Sequence, residues 1–334
     1  MHKIVFYDVS KDERALISKY VKKLEVEIHS SSLSRNNFPS AHTEVLSVHV
    51  DSKVTADTIK RLPNLKLIIT RTAGFDHIDL KAATSAGVMV ANCAGQNAIS
   101  VAEYVFGLIM NNFRNFPAAF KKGRDLKFGF ETYNGRELYG KTIGIIGTGS
   151  IGAHVAAIAS GFGMKVLGYD ERKNQDLVKR GVLRYVSLDK LVSSSDIISL
   201  HVPALKSTIK MVNGKFLAKA KAGLLLVNTS RGAVVDTSAV VKALESGRLG
   251  GFVSDVLELE AKPSVLHALS GSNSGSMADS RQIWALQKKL VKMPNVLLTP
   301  HTAHATKEAT ERILARTFEI IGQFRKGQKI SCVN

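Results

Sequence analysis

Cysteine is nearly absent: Cys93 and Cys332 are the only two among 334 residues. Two distant thiols cannot build the crosslinked scaffold of a small secreted domain, and they have no metal-ligand spacing. A reducing, cytoplasmic setting without a metal is expected, and Cys93, which ends an apolar run, reads as a packed side chain. Long hydrophobic runs are missing too. Gly, Asn or Lys interrupts the richest stretches every few residues, so none reaches the length of a membrane span. The opening MHKIVFYDVS carries one basic residue and breaks at Asp8, which reads as a strand and not as a signal peptide. Acidic residues are scarce beside basic ones, 28 against 46, and the net charge is +18. Yet the cations are scattered, with no block of five or more, and no aromatics interleave with them as base stacking requires. Nucleic-acid binding is therefore not expected. The charge reads as a solvated surface that attracts small anions.

What is present is ordinary globular composition, 45% hydrophobic and 22% charged, at a length that predicts two domains. Short Val/Ile-rich strands alternate with helix-like segments almost from the first residue. Lys3–Tyr7, Glu44–Val50, Leu65–Arg71 and Val88–Cys93 read as strands, separated by the amphipathic segments Lys11–Lys23, Thr55–Arg61 and Leu80–Ala86. After a basic stretch, Lys121–Lys127, the alternation restarts with Thr142–Gly147, Lys165–Asp170, Ile197–Val202, Leu224–Thr229, Gly251–Val256 and Val296–Thr299, a six-strand set. A final helix is predicted over Lys307–Arg325, and the Ser/Gly-rich stretch Ser270–Ser280 as a surface loop. This pattern predicts parallel sheets covered by helices on both faces, in two α/β units. Between them, Ser100-Val101-Ala102-Glu103 has the form of a capping box. The helix it would open is apolar on most sides (Val105, Phe106, Leu108, Ile109, Phe113), so it must be buried between domains or subunits.

Gly147-Thr148-Gly149-Ser150-Ile151-Gly152 follows a strand and opens a helix, the context that a dinucleotide-binding glycine turn needs. Its first glycine permits the tight turn, the second lets amides approach a pyrophosphate, and the third lets helix and strand pack closely. Asp170 ends the next strand, where a carboxylate accepts hydrogen bonds from ribose hydroxyls and repels a 2′-phosphate. NAD is expected, while Arg172 and Lys173 leave NADP open.

Three stretches at later strand ends offer chemistry: Asn228-Thr229-Ser230-Arg231-Gly232, Asp255–Glu260 (DVLELE), and Thr299-Pro300-His301-Thr302-Ala303-His304. A hydride transfer to a keto acid needs such groups. An arginine such as Arg231 grips a carboxylate through two parallel hydrogen bonds. An imidazole such as His301 gives a proton to the carbonyl oxygen or takes it back. A carboxylate such as Glu260, bonded to that ring, orients it and favours imidazolium. Glu258 reads as a solvated charge, His77 as a loop cap, and His201 as a partner of backbone at a strand end.

GTGSIG, NTSRG, DVLELE and TPHTAH, in this order and spacing, resemble the D-isomer-specific 2-hydroxyacid dehydrogenase family, particularly its D-lactate dehydrogenase-like branch. RTAGFDHID (Arg71–Asp79) and NAISVAEYVFGL (Asn97–Leu108) extend the resemblance over nearly the whole chain. It implies Arg231 as the substrate-binding arginine, His301 as acid/base and Glu260 as its partner, with the amides of Ala73 and Gly74 holding the substrate carboxylate. It places cofactor contacts at Gly147, Gly149, Ser150, Ile151, Gly152, Asp170, Val202, Pro203, Thr208, Thr229, Ser230, Arg231 and Asp255. The implied architecture is a flavodoxin-like substrate domain, 1–99 plus 302–334, and a Rossmann NAD-binding domain, 100–301, with the active site in the cleft between them. The helix from Ser100 is similar to the one the family uses to form a homodimer. The sequence departs from lactate-specific members at CAGQNA (Cys93–Ala98), which lacks their tyrosine. The expected activity is hydride transfer between NADH and a small 2-keto or D-2-hydroxy acid; the alternative is an NAD(H)-sensing binding protein or corepressor of the same fold.

Overall fold

The computed structural model describes residues 3–21, 24–126, 135–260 and 278–334. The chain divides into two compact units, Met1–Asn97 with Ala305–Asn334, and Ala98–His304.

The first unit is a five-stranded parallel sheet. Its strands are β1 (Lys3–Phe6), β2 (Val26–Ile28), β3 (Thr43–Val48), β4 (Leu67–Thr70) and β5 (Met89–Asn92), in the order β2-β1-β3-β4-β5. Crossover helices cover both faces of such a sheet, which is why Leu67, Ile68 and Ile69 form an unbroken apolar run and all four residues of β4 are buried. On one face Ile4, Phe6, Val45, Leu67 and Ile69 meet Ile313, Leu314, Ile320 and Ile321 of the helix Lys307–Arg325. On the other, Val5, Leu46, Val48, Ile68 and Val90 form a second apolar layer. The final residues bind along β5, where Val333 N donates to Val90 O (2.8 Å) and Asn334 Oδ1 accepts from Val90 N (2.9 Å). Arg71, just past β4, is 1% exposed. Its guanidinium donates to Glu13 Oε1 (3.1 Å), Ser47 Oγ (3.1 Å), Tyr7 O (2.7 Å) and Asp8 O (3.1 Å), so the ends of β1 and β3 are tied to the loop after β4.

The second unit is a seven-stranded parallel sheet. Its strands are β6 (Thr142–Ile146), β7 (Lys165–Tyr169), β8 (Arg184–Tyr185), β9 (Ile197–Leu200), β10 (Leu224–Asn228), β11 (Leu249–Ser254) and β12 (Val296–Leu298). Their order is β12-β11-β10-β9-β6-β7-β8, which reverses direction between β6 and β9. Ligands of open α/β sheets bind beyond the strand ends at such a switch point. The helix Ala98–Arg114 packs Val105, Phe106, Ile109 and Phe113 against Val155, Ala156 and Ala159 of the helix Ser150–Gly161.

The structure departs from the sequence reading in four places. β2 and β8 were not anticipated, so the second sheet has seven strands and not six. These are edge strands of three and two residues, too short to show a pattern. Ser100 is not the N-cap, since it lies inside a helix that already begins at Ala98; Ala98 and Ser100 are both buried, and the helix extends upstream of the capping signal. The expected loop at 270–280 lies outside the described residues up to 277, and 278–280 open the helix Ala278–Leu290. Among the described residues no helix is long and apolar enough to cross a membrane, and no group of three or more metal-ligating side chains gathers.

Candidate active site

β6 turns through Gly147-Thr148-Gly149 into the helix Ser150–Gly161. Gly147 has φ +92, and a Cβ there would lie 2.7 Å from the backbone of His201; one on Gly152 would lie 2.0 Å from Gly147 O. The protein's own packing demands these two glycines. Gly149 is different: its φ is −65 and a Cβ would meet nothing within 4 Å. The space before it is open, and the helix that follows has no side-chain cap. The amides of Ser150, Ile151 and Gly152 thus sit at an uncapped helix start, where the dipole favours an anion.

Asp170 lies one residue past β7. Its Oδ2 accepts Thr148 N (2.6 Å) and Thr148 Oγ1 (3.2 Å), and its Oδ1 accepts Arg172 N (2.8 Å). The carboxylate therefore ties the glycine turn to the end of β7. Tyr185 completes the tie, with its hydroxyl 2.6 Å from Thr148 Oγ1 and accepting Asn174 N at 2.7 Å. Across the switch point, His201 N donates to Ile146 O (2.7 Å), and Val202 packs beside Gly147. The His201 ring bonds Ser199 Oγ (2.9 Å), a side chain and not the backbone partner expected. Desolvation pushes its pKa down to about 3, so the ring stays neutral. Pro203 and Thr208 shape the following loop, where the Thr208 hydroxyl donates to Pro203 O and accepts Leu205 N (2.8 Å). Two buried polar atoms near these strand ends, His201 Nδ1 and Thr229 Oγ1, have no partner among the described residues. Orphaned buried groups carry an energetic cost that a bound polar ligand removes. Together with the open face of Gly149 and the bare helix start, they fit a dinucleotide.

The chemical groups gather at the ends of β10, β11 and β12. Asn228, fully buried, folds the turn behind it: Oδ1 accepts Ser230 N (3.0 Å) and Ser230 Oγ (2.8 Å), and Nδ2 donates to Arg231 O (3.0 Å). Arg231 Nη1 donates to Ser230 O (2.8 Å). Gly232 then presses on the DVLELE segment so closely that a Cβ would lie 1.8 Å from Leu257 O. Glu258 is not a solvated charge. Its side chain is 9% exposed, pairs with Lys210 Nζ (3.0 Å), and accepts Thr237 N (3.1 Å) at a helix start. Both partners are remote in sequence. Gln287, 1% exposed, grips Leu259 through two hydrogen bonds of 3.1 Å, one to its amide and one from its own amide to Leu259 O. Glu260 follows directly.

His301 has φ +56, a left-handed conformation uncommon outside glycine. Asp255 holds it there. The Asp255 carbonyl accepts His301 N (2.9 Å), Oδ1 accepts Thr299 Oγ1 (2.6 Å) and Thr302 N (2.9 Å), and Oδ2 accepts Ala303 N (2.9 Å). The ring then meets Glu260, with Nδ1 to Oε2 at 2.8 Å, while Glu260 Oε1 accepts Leu257 N (2.9 Å). These side chains are 42% and 41% exposed, so the pair opens to solvent. The bond to Glu260 raises the His301 pKa, against desolvation; the charges of Glu260 and Asp255 add to the rise and that of Arg231 opposes it. For Glu260, burial works against ionisation, but the His301 bond and charge, the Leu257 amide and Arg231 together lower its pKa. Arg231 thus acts electrostatically on both members of the pair. His304 sits edge-on to His301, with ring centroids 6.0 Å apart, and desolvation and then His301 lower its pKa.

Ala73 and Gly74 belong to the first unit. The carbonyls of their loop are all engaged: Thr72 O by Cys93 N (3.0 Å), Ala73 O by Asn92 Nδ2 (2.7 Å), and Gly74 O by Thr72 Oγ1 (2.6 Å). The amides of Ala73 and Gly74 donate to no acceptor among the described residues. His77 contributes to the same loop with Nε2 3.2 Å from Thr70 Oγ1. Sequence reasoning missed Asn92, Gln287 and Tyr185. Their polar side chains at or beside strands and on a helix were the available signal, but their partners lie elsewhere in the chain.

The family model described as D-isomer specific 2-hydroxyacid dehydrogenase, NAD binding domain, matches residues 106–303, more than half of the chain. The chain belongs to this family of NAD-dependent oxidoreductases, and its two parallel-sheet units match the family's solved structures. Among individual proteins, it is similar to 2-hydroxyacid dehydrogenase homolog 1 of Schizosaccharomyces pombe, 36% identical over 328 residues and 96% of each chain. Hydroxypyruvate reductase of Thermotoga maritima is 35% identical over 295 residues, 88% of this chain and 89% of that one. The crystal structure of D-lactate dehydrogenase from Aquifex aeolicus, complexed with NAD and lactic acid, aligns with a TM-score of 0.83 at 35% identity, covering 97% and 96% of the two chains.

Proposed function

We propose that the chain interconverts a small 2-keto acid and the corresponding D-2-hydroxy acid, in the manner of a D-lactate dehydrogenase, with His301 as acid/base, Glu260 as its partner and Arg231 as the carboxylate grip. The Glu260–His301 pair carries this reading. With Nδ1 bound to Glu260, the nitrogen left to face a substrate is Nε2, and the raised pKa keeps a proton there to higher pH than in an ordinary imidazole. In reduction, the Nε2–H bond breaks as the proton passes to the substrate's carbonyl oxygen; in oxidation the neutral ring takes the hydroxyl proton back. NADH, when bound at the glycine turn, supplies the hydride that adds to the carbonyl carbon. Arg231 holds the carboxylate that a 2-keto acid carries next to that carbon. The amides of Ala73 and Gly74, which donate to no acceptor among the described residues, are the neutral donors that this reading gives a substrate carboxylate in the first unit. Val202, Pro203, Thr208, Thr229, Ser230 and Asp255 serve the cofactor side of the second unit, by direct contact or by shaping its loops.

The test is a panel of pyruvate, hydroxypyruvate, phenylpyruvate and a branched keto acid, assayed against NADH and NADPH. Turnover with NADH is expected. His301→Ala should cut it by about 10²–10⁴, and Arg231→Ala should raise KM strongly. No turnover on any member, or wild-type rates in His301→Ala, would refute the assignment.

A further inference from the structure

We infer that Asn92 is a positioning residue for substrate binding: its side-chain amide sets the direction in which the Gly74 N–H points. The inference rests on the reading that the amides of Ala73 and Gly74 receive the substrate carboxylate. A trans peptide unit is planar, so its C=O and N–H point in opposite directions. Fixing one carbonyl therefore fixes the amide of the next residue. Two consecutive carbonyls of this loop are held from the end of β5. Thr72 O accepts Cys93 N at 3.0 Å, which turns the Ala73 N–H away from β5. Ala73 O accepts Asn92 Nδ2 at 2.7 Å, which turns the Gly74 N–H away likewise. Successive amides aimed to one side form an anion-binding concavity.

Of these two holding bonds, the first comes from backbone and no substitution removes its donor simply. The second is made by a side chain, and Asn92 supplies it from the last residue of β5. The loop has a further brace, with Gly74 O held by Thr72 Oγ1 and Thr72 Oγ1 lying 2.5 Å from Thr70 Oγ1. That brace fixes the peptide after Gly74. It leaves the Ala73–Gly74 peptide to Asn92. The substrate class implied is an anion with a planar carboxylate, which meets paired amides well.

The experiment compares wild type, Asn92→Ala and Asn92→Asp in the full-length protein. It reads KM and kcat for the best keto acid, inhibition by oxamate as an unreactive pyruvate mimic, and the dissociation constant of NADH by fluorescence. Asn92→Ala should raise KM and weaken oxamate roughly tenfold, the worth of one hydrogen bond, with kcat changed far less. Asn92→Asp keeps size and shape but puts an acceptor against the Ala73 carbonyl, so its KM should be worse still. Its KM should also recover toward acid pH, relative to wild type, as protonation restores a donor. NADH dissociation should be unchanged in both. Wild-type KM in Asn92→Asp across the pH range overturns the inference. So does a joint loss of NADH and keto-acid affinity, which would mean general structural damage. A wild type that turns over no 2-keto acid instead overturns the reading of the preceding section.

Discussion

Substituting Gly232 by alanine tests how the arginine and the histidine pair are held in common geometry. The added Cβ would lie 1.8 Å from Leu257 O and 2.0 Å from Leu257 C, whereas ordinary contact begins at 3.4 Å. Gly232 does not occupy the left-handed region, so its backbone admits alanine and the steric effect stands alone. Both opposing atoms are backbone, and neither can rotate aside. The Arg231 turn must then part from the Leu257–Glu260 segment by about 1.5 Å, because close-packed interiors absorb added volume only by moving. A misplacement of about 1 Å can cost roughly 10²-fold in rate. Steady-state assays well below the melting temperature should therefore find kcat/KM for the keto acid down by about 10². Overpacking should separately cost about 1–3 kcal/mol of stability, read as a lowered Tm. A variant with kcat/KM within about threefold of wild type and an unshifted Tm would refute the close packing on which the reasoning depends.

Gly149→Ala should behave in the opposite sense. A Cβ there meets nothing within 4 Å, so folding and Tm should be preserved, while NADH binding weakens by about tenfold or more as amide bonds to the pyrophosphate are lost. Isothermal titration with NADH checks it, and wild-type affinity would show that Gly149 does not face the cofactor. The reaction's pH dependence has a fixed sign. Because the His301 pKa is raised, reduction, which uses the protonated ring, should persist to higher pH than an ordinary imidazole allows and fall as pH rises through the raised value. Oxidation should rise over the same interval. Glu260→Gln removes the negative charge that raises it and leaves at most a neutral amide acceptor against desolvation, so both transitions should move to lower pH; unmoved profiles would detach Glu260 from the titration.

Much of this was written locally. The glycine turn, its flanking strand and helix, and the placement of Asn228–Arg231, Asp255–Glu260 and His301 at strand ends are short-range patterns. The final helix was predicted over Lys307–Arg325 and is found there. What escaped was whatever depended on a distant partner. Glu258 looks solvated in DVLELE, yet Lys210 and the Thr237 amide, far away in sequence, turn it inward. Asp255 reads as a cofactor contact, and what the sequence hid is that its carboxylate also accepts Thr299, Thr302 and Ala303, which hold His301 in its left-handed backbone. Nor could Gln287 be seen to clamp Leu259, since the helix that carries it adjoins a stretch read only as a loop. Ser100 failed for the converse reason: a valid local start signal lies two residues inside a helix that already begins at the buried Ala98.

The first unit is assembled from both ends of the chain, 1–97 and 305–334, with the whole of the second unit threaded between. Translation delivers the intervening residues before the helix Lys307–Arg325 exists. The second sheet can thus close while the first still shows water the face formed by Ile4, Phe6, Val45, Leu67 and Ile69, which waits for Ile313, Leu314, Ile320 and Ile321. A nascent chain in that interval carries a finished nucleotide fold beside an adhesive, uncovered one, the kind of surface that recruits chaperones or nucleates aggregation. The half-made protein is vulnerable in the earlier-made part of its first unit.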